Sequence, residues 1–267
     1  MRDSVWVWGV PFAPITLKET VEAVDALIEK RVPSYLITAN LHYLMLTSEL
    51  PDLAAINAGA AFIVADGAPI VRAARRRPVP LPERVAGSDL IFHLCELAAR
   101  RGHGLFLLGA PPGVAEEAAE KLKARYPGLR VVGIECPPFR PLTDDENAQL
   151  IDRIRAAGPD ILFTAFSQPK GDRWIFENHK RIGVPVCVNL GASLDFAAER
   201  IARAPRWMQR AGLEWSFRLL REPRRLFSRY ARNALFLGRM VLLDRLRIQR
   251  ADQPRLPSEA TTAPEPS

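Results

Sequence analysis

Two kinds of hydrophobic pattern alternate along the chain. Short unbroken apolar runs occupy residues 5–10, 35–38, 62–65, 105–108, 130–134, 161–165 and 186–189. Between them, residues 17–30, 89–101, 114–126 and 144–157 repeat their apolar positions every three or four residues. Unbroken runs predict strands buried on both faces, and the three-to-four repeat predicts amphipathic helices. Strands alternating with helices predict an α/β fold: a Rossmann-like, mostly parallel sheet with helices on both faces. Thr143-Asp-Asp-Glu146 has the form of a capping box, with Thr143 as N-cap and Glu146 three residues on.

The pattern changes near Phe196. Strand signals stop, and helical sequence rich in arginine continues to about Arg250. The chain therefore divides into an α/β unit over 1–195, a basic helical appendage over 196–250 and a tail over 251–267. The tail is rich in Pro, Ser, Thr and Ala and poor in large apolar residues, a composition that predicts disorder.

Charge sharpens that division. Residues 200–250 hold fourteen arginines against Glu214, Glu222 and Asp244, a net charge of +11. The whole chain carries +7, so the rest is −4. Such asymmetry points to an anionic partner for the appendage: phosphate groups, acidic lipid or nucleic acid. Trp207, Trp215, Phe217 and Tyr230 interleave with the arginines, which suits an acidic membrane surface. Arg218 and Arg225 are seven residues apart, the spacing of one face of a continuous helix.

The N-terminal stretch has neither the apolar core nor the cleavage site of a signal peptide. The longest apolar candidate for a membrane span, 234–243, is interrupted by Arg239. Cys95, Cys136 and Cys187 are widely spaced and odd in number, giving neither a disulfide framework nor a metal-ligand spacing. A reducing cytoplasm is the expected compartment.

In an open parallel sheet, ligands bind beyond the carboxyl ends of the strands. Thr38-Ala39-Asn40, Asp66-Gly67, Gly109 to Gly113, Ser167-Gln168-Pro169-Lys170 and Gly191-Ala192-Ser193 each follow a predicted strand. One carboxylate, small polar side chains and glycine turns would share one rim, as suits a phosphorylated ligand held by backbone N–H groups. Each piece also has a plainer reading. Asp66-Gly67 is a common turn, Asn40 a common helix cap, Arg84 a solvated loop charge, and His42 a packing residue.

Taken in order, the motifs resemble the WecG/TagA/CpsF glycosyltransferase family over roughly 5–232. The matching pieces are Thr38-x-Asn40, Ala65-Asp66-Gly67, Arg84-x-x-Gly87-x-Asp89, Leu108-Gly109, Pro169 with Trp174, and Gly191 with Asp195-Phe196. The longest is Arg203-Ala-Pro-x-Trp207, continuing through Gly212-Leu-Glu-Trp215, Arg218, Glu222-Pro223 and Arg225. The resemblance implies inverting transfer of a sugar from a UDP-sugar donor to a polyprenyl-diphosphate-linked acceptor, without a metal or other cofactor, in surface polysaccharide biosynthesis. It implies Asp66 as the catalytic base, Thr38 and Asn40 as pocket residues, and Arg218 and Arg225 as arginines closing over phosphates. Arg84, Gly109, Gln168 and Gly191 complete the expected substrate-binding set. The 1–195 unit is then the nucleotide-sugar-binding catalytic domain, working at the inner face of the cytoplasmic membrane with no nucleic-acid partner. A homo-oligomer is compatible with the sequence.

There is one departure. The family usually reads Pro-x-Gln-Glu-x-Trp, and this chain reads Pro169-Lys170-Gly171-Asp172-Arg173-Trp174, with Gln168 nearby. The identity of the donor sugar stays open on that account. Two rival readings are weaker. A nucleotide-sugar epimerase or oxidoreductase would need an early G-x-G-x-x-G turn, which is missing. A nucleic-acid-binding protein would leave the polar rim unexplained.

Overall fold

The computed structural model describes residues 3–246. The predicted tail over 251–267, with Arg247 and Arg250, lies outside the described residues. Six parallel strands form one sheet: β3 (Ser34–Ala39), β4 (Phe62–Ala65), β5 (Gly104–Gly109), β6 (Arg130–Glu135), β7 (Ile161–Ala165) and β8 (Val186–Asn189). Their order is β4-β3-β8-β7-β5-β6, and every neighbouring pair is parallel. All six carboxyl ends therefore lie along one rim.

The first apolar run departs from expectation. It is a hairpin, β1 (Val5–Val7) and β2 (Val10–Phe12), in its own two-stranded antiparallel sheet. Trp8 (φ 48°) and Gly9 (φ 83°) turn the chain between them. Two consecutive positive φ values are what a two-residue hairpin turn requires. Val7, Val10 and Phe12 are wholly buried, so the hairpin joins the core although it stays outside the parallel sheet.

Side chains alternate between two cores. Leu36, Phe62, Val64, Leu105 and Leu107 face α1 (Leu17–Lys30), α5 (Gly87–Arg101), α6 (Val114–Arg125) and α9 (Ser193–Ala197). Tyr35, Ile37, Ile63, Phe106 and Leu108 face the hairpin, α2 (Leu41–Glu49), α3 (Leu53–Gly59), α4 (Ala68–Ala74), α7 (Asp144–Ala157) and α8 (Lys170–Ile182). Burial on both sides explains why the strands read as unbroken apolar runs. The Thr143 capping box forms as expected: Glu146 N–H donates to Thr143 Oγ1 at 3.2 Å, and Thr143 N–H donates to Glu146 Oε2 at 2.9 Å.

Beyond the sheet come α10 (Arg206–Ala211), α11 (Glu214–Arg221) and α12 (Pro223–Arg245). Phe196, where the composition changes, lies within α9. The long helix α12 lies back on the core. Phe236 packs edge-on against Trp8, with ring centroids 6.1 Å apart, and Trp8 Nε1 donates to Asp244 Oδ2 at 3.1 Å. Arg232 pairs with Glu49 at 2.7 Å, fixing α12 to α2. Among the described residues, no helix is long and apolar enough to cross a membrane.

Candidate active site

The expected rim assembles around Asp66, one residue beyond β4. Its N–H donates to Ala39 O at 2.9 Å, extending the β3–β4 pairing past the end of the strand. Val85 N–H donates to Ala65 O at 2.9 Å, which lays the segment carrying Arg84 beside Asp66. The Asp66 carboxylate accepts from Gly87 N–H at 3.4 Å, at the N-terminus of α5. Burial pushes Asp66 up to about 6, while the Arg84 charge and the Gly87 N–H pull in the opposite direction. A carboxyl poised there is ionised at neutral pH yet basic enough to accept a proton.

Arg84 is no solvated loop charge. It donates to Glu214 Oε2 at 2.9 Å and lies 3.6 Å from Asp89 Oδ2. Asp89 also receives Arg203 at 2.7 Å. Glu214 opens α11, so the appendage is tied by charge to the segment that flanks Asp66. Gly212 marks the same contact: a Cβ there would lie 2.7 Å from the Ala68 side chain, at the start of α4.

Thr38, Asn40 and Gln168 also come together. Asn40 Oδ1 caps α2 by accepting Tyr43 N–H at 3.1 Å, so its plainer role is real. Its Nδ2 donates to Gln168 Oε1 at 2.8 Å, and Gln168 Nε2 donates to Thr38 O at 3.2 Å. Gly191 turns the chain after β8 with φ 53°. Gly109 closes β5 with φ 94° and faces the Phe166 ring, which a Cβ would approach to 2.8 Å. The geometry there serves the close packing of Phe166.

Arg218 and Arg225 do not share one helix. Glu222-Pro223 separates α11 from α12, so their seven-residue spacing does not give a common helical face. They converge by another route, because both act on Asp195 in α9. Burial raises that carboxyl, while Arg225 and then Arg218 oppose the rise. Arg218 lies over the Phe196 ring at 5.6 Å, and Arg225 pairs with Glu222 at 2.5 Å. The Nε–H groups of Arg218 and Arg229 are buried without a hydrogen-bond partner. Burial lowers Arg229, and the nearby charges of Arg218 and Arg225 add to that lowering. Arg218 and Arg225 thus act on both Asp195 and Arg229, which gathers three guanidiniums in one corner of the appendage, an arrangement that attracts anions.

His42, in the first turn of α2, packs against α12. Its Nδ1 lies 3.2 Å from Asn233 Oδ1 on α12, and burial lowers its pKa, with Arg229 adding to the effect. Burial raises Cys95 and Cys187 to about 12, so neither is a thiolate nucleophile. Among the described residues no three His, Cys, Asp or Glu side chains gather as metal ligands. Sequence reasoning missed Arg203 and Glu214 as parts of the candidate site because their partners Asp89 and Arg84 lie far away in the chain; it missed Arg229 because nothing local distinguishes it from the other appendage arginines.

Comparison with known proteins adds two findings. The sequence profile of the glycosyl transferase WecG/TagA/CpsF family matches residues 5–251. The N-acetylglucosaminyldiphosphoundecaprenol N-acetyl-beta-D-mannosaminyltransferase of Bacillus spizizenii is 29% identical over 198 residues, covering 74% of this chain and 75% of that protein.

Proposed function

The chain belongs to the WecG/TagA/CpsF glycosyltransferase family, and from that premise we propose that it moves a hexosyl or N-acetylhexosaminyl residue from a UDP-sugar to a polyprenyl-diphosphate-linked acceptor. Membership in a glycosyltransferase family sets aside the epimerase, oxidoreductase and non-enzymatic readings. The Bacillus relative, named as transferring to a sugar on a diphosphate-linked polyprenol, supports an acceptor of the same class.

Asp66 carries the proposal. In an inverting transfer, Asp66 removes the proton from the acceptor hydroxyl as that oxygen attacks the anomeric carbon. The bond from the sugar to the diphosphate breaks on the opposite face, and UDP leaves with the electron pair. A base of pKa about 6 fits the first event. Fixed cations fit the second, because charge develops on the departing diphosphate. Arg218 and Arg225 are assigned that task, with the orphaned Nε–H groups in their corner as support. Thr38, Asn40 and Gln168 are assigned to the pocket wall beside Asp66.

The appendage is also assigned to docking on acidic lipid at the inner face of the membrane. Leu220, Phe227, Trp207 and Trp215 are exposed on its helices, interleaved with arginines. The reading is tested by a donor screen, with mass spectrometry of products from a panel of UDP-sugars and a synthetic lipid-diphosphate acceptor. One donor should yield a glycosylated lipid and stoichiometric UDP. Failure of every UDP-sugar, with turnover of a differently activated donor, would refute the donor class.

A further inference from the structure

The departure at Gly171 has a physical counterpart elsewhere in the fold. A Cβ on Gly171 would lie 2.5 Å from Cγ, 2.5 Å from Nδ2 and 2.6 Å from Oδ1 of Asn189. Non-bonded atoms settle at about 3.5–4.0 Å, so the first turn of α8 lies flat on that carboxamide and leaves no room for any side chain. Asn189 ends β8 and is only 3% exposed. Its Nδ2 donates to Asp172 Oδ2 at 3.1 Å, and its Oδ1 accepts from Thr164 Oγ1 at 3.1 Å. Its backbone oxygen accepts the Thr38 hydroxyl at 3.4 Å. That hydroxyl lies 3.3 Å from where a Cβ on Gly87 would stand, and Gly87 N–H is the group that reaches Asp66.

We infer that Gly171 and Asn189 are a reciprocal pair, and that Asn189 is a positioning residue of the donor pocket. Its carboxamide, carried by β8, fills the volume that a glutamine at 171 would claim from α8. It holds together the start of α8 and the ends of β7, β8 and β3. The departure from Pro-x-Gln-Glu-x-Trp is therefore a relocation of the amide and not its loss. A glutamine at 171 would require a small residue at 189. Moving Asn189 shifts Thr38 directly. It also shifts Gln168, which precedes α8 and holds the Thr38 carbonyl.

The inference rests on the reading of Thr38 and Gln168 as donor-pocket residues, and the experiment separates the two. Gly171→Gln, Asn189→Gly and the double variant are compared with the wild type for thermal melting, UDP binding by calorimetry, and steady-state kinetics. Each single variant should raise the donor KM by at least about tenfold while the acceptor KM stays within about twofold. The double variant should return the donor KM to within about threefold of wild type, the signature of two coupled neighbours. Should Gly171→Gln fail to fold, Asn189→Gly and the double variant still decide the matter. A wild-type donor KM in Asn189→Gly, or a double variant no better than Asn189→Gly, would overturn the inference. If the wild type used no UDP-sugar, the functional reading would fall. Melting temperatures lowered in the singles and restored in the double would still establish the pair.

Discussion

Replacing Asp66 by Asn tests the assignment of the base while disturbing little else. The amide keeps the size of the carboxylate and an oxygen to accept Gly87 N–H, a contact already long at 3.4 Å. Arg84 loses one anionic neighbour but keeps Glu214 at 2.9 Å and Asp89 at 3.6 Å. The stability effect has a definite sign. Asp66 is raised from 3.8 to about 6, so its ionised form is worse placed in the folded protein than in the unfolded chain. The contribution is fully present below pH 3.8 and is lost as pH rises through about 6. A shift of that size corresponds to at most about 3 kcal/mol, reduced by whatever Arg84 loses. At pH 8, Asp66→Asn should therefore melt at or above the wild-type temperature. Turnover should still fall by about two to four orders of magnitude, or about 3–5 kcal/mol of barrier, the usual cost of a lost general base. In the wild type, kcat/KM should climb about tenfold per pH unit below 6 and level off above it. Both are read by quantifying UDP release from the working donor. Near wild-type turnover in a folded Asp66→Asn protein, or a flat profile from pH 5 to 8, would refute the reasoning.

Two further outcomes are expected. Activity should survive EDTA, because the sequence holds no Asp-x-Asp pair and arginines are assigned to the diphosphate; loss on chelation with recovery on adding Mn²⁺ or Mg²⁺ would sink that assignment. Asp172 is held at about 7 by burial, so its stabilising contribution fades as pH rises from about 4 through 7, and Asp172→Asn should stabilise the fold by up to about 4 kcal/mol at pH 8 but not at pH 4, read as a raised melting temperature at the higher pH only. An equal gain at both pH values would show that ionisation is not the cause.

Local pattern revealed the sheet but not the joints. Phe62–Ala65 and Val186–Asn189 are legible because burial on both faces leaves no polar position to interrupt the run. The hairpin was hidden by the same logic. Trp8 and Gly9 sit inside an apolar run, and nothing local marks Trp8 for a left-handed conformation. The break before α12 did carry a signal, since proline is favoured at the first position of a helix and Pro223 occupies it. Asp66 and Asn40 were legible from their place just after strands, and Thr38 from its place at the end of one. Glu214 and Asn189 were not, because each acts on a residue more than a hundred positions away.

The appendage is assigned two jobs that can be separated. Salt and lipid composition probe the first. Each basic residue near an acidic leaflet contributes about 1 kcal/mol before screening, so flotation with acidic vesicles should weaken steeply as salt rises. The apolar contribution is independent of salt. Leu220 and Phe227 are 80% and 67% exposed, on α11 and α12 respectively, so a Leu220→Ser/Phe227→Ser variant should float less at every salt concentration. Point variants are the right tool, because deleting the appendage would also strip Glu214 from Arg84 and Phe236 from Trp8. The second job belongs to the corner around Asp195. Arg218→Ala removes a guanidinium whose Nε–H has no partner, so its loss relieves an unsatisfied buried group and reduces repulsion on Arg229. The fold should tolerate it, and turnover of a water-soluble acceptor should still drop if the cation serves the leaving diphosphate as proposed. The two variants should thus be opposites: one floats poorly but turns over a soluble acceptor, and the other floats but does not. If Leu220→Ser/Phe227→Ser floats like wild type, the docking assignment fails; if Arg218→Ala turns over normally, the phosphate assignment fails.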